Sequence, residues 1–183
     1  MDFNASKKLS DFVWINGNFV PWEEASVHSL THSLHYSGSV FEGERAYGGK
    51  VFKLMEHCQR LLKSAEYMHL KVKYSADEIA VATEKLLKKN NLSNAYVRPL
   101  IWRGAEAISL CSSQVTCNLL IMAFESNPAF KNGLRLCVGE WKKPPSNSMP
   151  PQSKSSAHYA MMIVSQQSAK DASYDDALLL DQY

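Results

Sequence analysis

Lys154 closes a proline-rich stretch and precedes a segment that reads as a helix, in the run Ser153-Lys154-Ser155-Ser156-Ala157-His158-Tyr159. A lysine placed there faces the positive end of a helix macrodipole. That position suits a nucleophilic amine, which must shed its proton before it forms an imine. Taken alone, the signal is weak, because a loop lysine is far more often solvent-exposed and inert. Arg98 carries more information. In an extended segment Tyr96, Arg98, Leu100 and Trp102 share one face, and an arginine among aromatic and apolar neighbours needs an anion there, from the protein or from a ligand. A structural ion pair answers that need as well as a bound carboxylate does. Pro99 marks the same segment as an edge or bulged strand. Arg60, read from periodicity alone, is a polar-face residue of a helix.

Other combinations fail on spacing. His28, His32 and His35 have neither the HExxH spacing nor an intervening carboxylate, so they read as structural histidines and no metal site is expected. The run from Gly43 to Lys50 has glycines and a lysine, but Val51 stands where a phosphate loop needs Ser or Thr. Neither G-x-S-x-G nor G-x-G-x-x-G occurs, which removes support for a serine hydrolase and for a dinucleotide enzyme.

The elements that must carry these residues are legible in outline. Phe12 to Ile15, Asn16-Gly17 and Asn18 to Val20 read as a β-hairpin with a type I′ turn, and Gly48-Gly49 centres a second hairpin. Leu54, Cys58, Leu61, Ala65 and Met68 recur at helical spacing. Ser75 and Glu78 form a capping box ahead of Ile79, Ala82 and Leu86, in a helix that should stop near Asn90-Asn91. Strands are expected over 95–102, 116–124 and 133–141. Residues 142–153, with four prolines, cannot be regular structure. A helix follows from just after Lys154 to about Ala172, and 177–181 reads as a further strand.

With 183 residues, 45% hydrophobic and 21% charged, the chain has a globular composition. A net charge of +2, with the basic residues scattered, argues against nucleic acid as a partner. No run approaches the roughly 18 apolar residues of a membrane span, and residues 1–12 lack the pattern of a secretory signal. Cys58, Cys111, Cys117 and Cys137 form no CxxC pair, which fits a reducing, cytoplasmic setting. The chain stops directly after a strand, and a second domain starting near 135 would be short for a core of its own, so the sequence reads as cut short.

Five segments in order resemble the branched-chain amino-acid aminotransferases, pyridoxal 5'-phosphate (PLP) enzymes of fold type IV. They are Trp14-Ile15-Asn16-Gly17; His32-Ser33-Leu34-His35-Tyr36 running into Ser39-Val40-Phe41-Glu42-Gly43; Glu56-His57-Cys58-Gln59-Arg60-Leu61; Ala95-Tyr96-Val97-Arg98-Pro99; and Lys154 with Tyr159. The resemblance implies an α+β fold: a small N-terminal α/β domain over 1–125, an interdomain connection over 126–135, and the start of the larger PLP-binding domain over 136–183. It implies Lys154 as the Schiff-base and proton-transferring lysine, Arg60 on the PLP phosphate, and Tyr159 on its phenolic oxygen. Tyr36, Phe41 and Gly43 would line the side-chain pocket, and Tyr96 and Arg98 would receive carboxylates. The implied reaction moves an amino group between leucine, isoleucine or valine and 2-oxoglutarate, in amino-acid biosynthesis, and the implied assembly is a dimer or higher homo-oligomer.

The chain departs from the family pattern in places. Ser155, Ser156, Ala157 and His158 replace a glycine-rich segment, and Glu125-Ser126-Asn127-Pro128 lacks a Trp-Gly pair that some members carry. The glutamate that pairs with the PLP ring nitrogen, and further phosphate ligands, would fall after Tyr183. A non-catalytic remnant is therefore one alternative reading. A sibling activity, D-amino-acid aminotransferase or aminodeoxychorismate lyase, is the other.

Overall fold

A computed structural model describes residues 8–111, 114–126 and 133–183. In chain order the elements are β1 (Phe12–Ile15), β2 (Asn18–Pro21), a 3-10 turn (Trp22–Glu24), α1 (His32–Tyr36), β3 (Ser39–Phe41), β4 (Glu44–Tyr47), β5 (Lys50–Val51), α2 (Leu54–Tyr67), α3 (Ala76–Lys89), β6 (Ala95–Arg103), β7 (Cys117–Glu125), β8 (Leu136–Val138), a 3-10 turn (Ser156–His158), α4 (Tyr159–Asp171) and β9 (Asp176–Leu178). The first seven strands form one antiparallel sheet in the order β2-β1-β7-β6-β4-β5, with β3 also on β6. β8 and β9 pair in parallel as a separate ribbon. Most of the stretch read as an interdomain connection, namely 127–132, lies outside the described residues.

Local chemistry accounts for the elements that the sequence announces. Asn16 (φ 49°) and Gly17 (φ 100°) turn the first hairpin, and Gly48 (φ 57°) and Gly49 (φ 78°) turn the second. At the start of α3 the Ser75 hydroxyl accepts from the Glu78 amide at 3.2 Å, while the Glu78 carboxylate accepts from the Ser75 amide at 2.8 Å. Such a cap is worth about 1 kcal/mol. β8 and β9 are shorter than their apolar runs suggest, and α1 and β3 carry no periodic signal because each spans only a few residues. The segment 142–153 contains no helix or strand. Lys154 is not in the first turn of α4, because the 3-10 turn stands between them. Lys154 thus meets the N-terminal end of α4 through its side chain and not as a residue of the first turn.

Alternation along the strands builds the core. Ala95, Val97 and Ile101 of β6, with Leu119, Ile121 and Ala123 of β7, face α2 and α3, which contribute Cys58, Leu61, Ala65, Ile79, Leu86 and Leu87. Each large side chain withdrawn completely from water here contributes roughly 1.5–3 kcal/mol. Pro99 sits inside the central strand rather than on an edge. Its carbonyl accepts from the Glu42 amide at 2.9 Å, and the reciprocal bond to the Glu42 carbonyl is the one a proline cannot make, so the proline stands opposite the break between β3 and β4. The registers Phe41↔Leu100 and Glu44↔Val97 show that β3 and β4 are one interrupted strand along β6.

That strand places Val40, Glu42, Glu44 and Ala46 on the helix side. Two of the four are carboxylic acids in a core. Glu44 is 1% exposed, and among the described residues neither of its oxygens has a hydrogen-bond partner. Burial, and then the charge of Glu42, push its pKa up to about 8. In the unfolded chain the group ionises near 4.5. The folded state thus binds the extra proton between those values, and the stability this provides is present below pH 4.5 and lost as pH rises through 8. Thermal melts should show a midpoint that declines across this range. In the Glu44→Leu variant the decline should flatten and the midpoint should rise, most clearly above pH 8. An unchanged pH slope in that variant would rule this account out.

Candidate active site around Lys154

Lys154 belongs to no helix or strand, so its position has to be imposed from outside. Its carbonyl accepts from the Phe41 amide at 3.1 Å, and its amide donates to the Ser64 hydroxyl of α2 at 3.0 Å. Next to it, Ser155 forms an antiparallel bridge with Val40 and its hydroxyl donates to the Ser39 carbonyl. Ser153 donates to the Ser64 carbonyl, and the Ser156 and Ser39 hydroxyls lie 2.7 Å apart. Ser155 and Ser156 thus fasten the lysine segment to the outer edge of β3, while Ser153 and the Lys154 amide fasten it to Ser64 of α2.

The lysine Nζ donates to the Tyr159 hydroxyl at 2.6 Å. Tyr159 is the first residue of α4, and its ring packs on Phe41 with centroids 4.8 Å apart. Nζ itself lies 4.9 Å from the Phe41 ring centroid. Beyond Phe41 is Arg98, whose guanidinium carbon is 4.4 Å from the same ring. Arg98 donates through Nε (3.0 Å) and Nη2 (2.5 Å) to the Tyr96 hydroxyl, and Gly43 lies directly over that hydroxyl. A Cβ on Gly43 would stand 2.6 Å from the Tyr96 oxygen, so this glycine keeps the surface of the open face level. Lys154, Tyr159, Phe41, Gly43, Tyr96 and Arg98 therefore form one continuous group.

Arg60 approaches from the helix side. It shares a cleft of about 380 Å³ with Lys154, Tyr159, His158 and the proline-rich segment. Its Nε and Nη2 donate to the two oxygens of Glu42 at 2.5 and 2.6 Å. Glu42 is fully buried, and it also meets His57 Nδ1 at 3.0 Å and the Gly43 amide at 3.3 Å. Burial opposes ionisation of this carboxyl, but the hydrogen bonds from Arg60 and then His57 outweigh it and hold its pKa below the ordinary carboxylate value. His158 does not project freely into the cleft, because its Nε2 lies 3.1 Å from the Pro150 carbonyl oxygen.

Tyr36 stands apart. Its hydroxyl donates to the Ile108 carbonyl at 2.9 Å and its ring packs on His32, so its side chain is engaged away from the Lys154 group. The three histidines of this region each meet backbone: His28 with the Leu30 amide, His32 with the Leu110 carbonyl and His35 with the Ser29 carbonyl. Sequence reading missed Glu42, His57 and Ser64. Glu42 lay inside a quoted segment, but nothing in its spacing shows that it meets a residue 18 positions away on a helix.

Chemically, the arrangement offers a lysine amine in a hydrogen bond with a phenol, an arginine with one guanidinium edge unused among the described residues, and a second arginine against the same aromatic ring as the amine.

Comparison with known proteins gives the same direction. A probable branched-chain-amino-acid aminotransferase of Rickettsia bellii is 57% identical over 171 residues, covering 93% of this chain and 59% of the relative. The branched-chain-amino-acid aminotransferase of Escherichia coli is 34% identical over 184 residues, covering 95% of this chain and 60% of its own length. The crystal structure of an Escherichia coli branched-chain amino acid aminotransferase superposes with a TM-score of 0.90 at 33% identity, over 94% of this chain and 60% of that one. The T.th. branched-chain amino acid aminotransferase complexed with N-(5'-phosphopyridoxyl)-L-glutamate gives 0.88 at 34% identity, over 94% and 59%. This chain thus spans about 59% of the length of the Rickettsia relative. The model of the amino-transferase class IV family matches residues 39–183, the stretch that holds every member of the Lys154 group, and the chain belongs to that family.

Proposed function

We propose that this chain carries the lysine side of a PLP-dependent site that transfers an amino group between a branched-chain L-amino acid (leucine, isoleucine or valine) and 2-oxoglutarate, giving a branched-chain 2-oxo acid and L-glutamate. The observation that carries the reading is the Lys154–Tyr159 pair at 2.6 Å, in the same cleft as Arg60. The donor set fits the cofactor group by group: an amine for its aldehyde, a phenol for its ring oxygen and a guanidinium edge for its phosphate. The matched relatives carry the branched-chain aminotransferase name, and one matched structure holds a phosphopyridoxyl-glutamate compound. In the same reading, 1–125 form a small domain, 126–135 a connection and 136–183 the start of the cofactor-binding domain. The protein would act in the cytoplasm as a homo-oligomer. Among the described residues no helix is long and apolar enough to cross a membrane.

Bound PLP supplies an electron sink conjugated to the substrate nitrogen, which allows the Cα–H bond to break heterolytically. The rest falls to the chain. Lys154 Nζ would be the nucleophile that holds the cofactor and the base that takes the proton from the substrate Cα. Tyr159 keeps Nζ in place through its hydroxyl and by packing on Phe41. Arg60 would receive the phosphate. Phe41 and the bare Gly43 give an apolar wall for a branched side chain, while Arg98, steadied by Tyr96, offers a cation to the distal carboxylate of glutamate. One pocket then accepts an apolar or an acidic side chain in turn. Tyr36 joins this pocket only if it leaves Ile108.

Two experiments test the reading. The chain mixed with PLP should develop a visible absorption band that borohydride fixes on Lys154, as located by peptide mapping, and Lys154→Ala should abolish it. Label spread over surface lysines would sink the assignment. Second, Arg98→Met should leave the leucine half-reaction close to wild type and slow the glutamate half-reaction on the order of 10- to 100-fold, the scale of a lost charge-assisted hydrogen bond. Equal losses with both substrates would remove Arg98 from the role of carboxylate selector.

A further inference from the structure

Arg60 reaches the cleft from a helix surface, and its side chain is 55% exposed. A long, half-exposed side chain has many rotamers and would spend most of its time away from any one phosphate position. What holds it is a carboxylate that is itself immobile. Glu42 is 0% exposed and is gripped by His57 from α2 and by the Gly43 amide from its own strand, besides Arg60.

The manner of pairing matters. A guanidinium has five N–H groups in one plane, arranged as two edges that each present a parallel pair. Glu42 occupies the edge made by Nε and one hydrogen of Nη2. The other edge, Nη1 with the second hydrogen of Nη2, remains for a second anion. With Glu42 fixed, the plane of the guanidinium is fixed as well, so that edge keeps one orientation in the cleft with Lys154 and Tyr159.

We infer that Glu42 is a positioning residue for Arg60: its buried side-on contact presents the free guanidinium edge to the phosphate of the cofactor, and His57 braces that contact. The inference rests on the reading of the Lys154 site as a PLP site, and it adds a source for the site's preference for a phosphorylated aldehyde. It also has a sign that simple electrostatics does not share. As a countercharge, Glu42 weakens the attraction of Arg60 for phosphate, and removing its charge would strengthen that attraction. As a positioner, its removal weakens phosphate binding.

The test compares adduct formation with PLP and with pyridoxal, which lacks the phosphate, by titrating absorbance in the wild type and in Glu42→Gln and Glu42→Asp. Positioning requires the PLP-to-pyridoxal affinity ratio to fall roughly tenfold or more in both variants, with pyridoxal affinity little changed. Glu42→Asp keeps the charge but withdraws the carboxylate by one methylene, so a ratio preserved in this variant would overturn the proposal. So would a ratio that rises in Glu42→Gln, or equal losses for both aldehydes. Where neither variant folds, His57→Asn should show a smaller fall in the same direction, and an unchanged ratio there counts against the brace and the proposal. A wild type that forms no adduct on Lys154 would bring down the PLP reading and this inference together. A wild-type adduct with an unchanged ratio in the variants would remove the inference alone.

Discussion

The main-chain attachment of residues 153–156 to β3 and α2 is the constraint on which the site depends. An irregular, proline-rich approach gives Lys154 no helical or strand ladder of its own, and an unanchored lysine would average over many positions. The Phe41 amide and the Ser64 hydroxyl take up both polar groups of the Lys154 backbone, and the Val40–Ser155 bridge continues the hold by one residue. Phe41 contributes twice, since the residue whose amide fixes the lysine backbone also places its ring beside the lysine amine. Position and environment of the amine are set by the same strand.

The interruption between β3 and β4 divides the work of that strand. Period-2 alternation sends Glu42 toward the helices and Phe41 and Gly43 toward the open face. Arg60 can therefore be bound from below while Arg98 and Tyr96 are arranged above, with Lys154 at the edge between them. Pro99 stands opposite that break, where its missing N–H interrupts the ladder between β6 and this strand. The same break leaves the Gly43 amide near the Glu42 carboxylate, which ties the two sides together at 3.3 Å.

Glu42 and Glu44 show how partners rather than burial decide the state of an acid. They are two residues apart, on one face and almost completely buried. Glu42 receives hydrogen bonds from a guanidinium and an imidazole and is held as a carboxylate. Glu44 receives none among the described residues, and its pKa rises to about 8. The desolvation that burdens both is offset only where charge-assisted hydrogen bonds replace the lost water.

What the residue order determined by itself was local or strongly patterned. The Asn-Gly and Gly-Gly turns, the Ser75–Glu78 capping box, the apolar stripes of α2 and α3 and the two faces of β6 all follow from chemistry within a few residues. The family resemblance, carried by five ordered segments, named Lys154, Arg60, Tyr159, Phe41, Gly43, Tyr96 and Arg98 before any of them could be seen to meet. Only the tertiary structure decided the rest. It put the 3-10 turn between Lys154 and α4, seated Pro99 in a central strand, turned Tyr36 toward Ile108, and joined Glu42 to Arg60 and Ser64 to Lys154. Each of these depends on a contact between residues far apart along the chain, or on a hydrogen-bond demand that the fold creates. Periodicity registers which side of an element a residue occupies, and it carries no record of what the other elements place there.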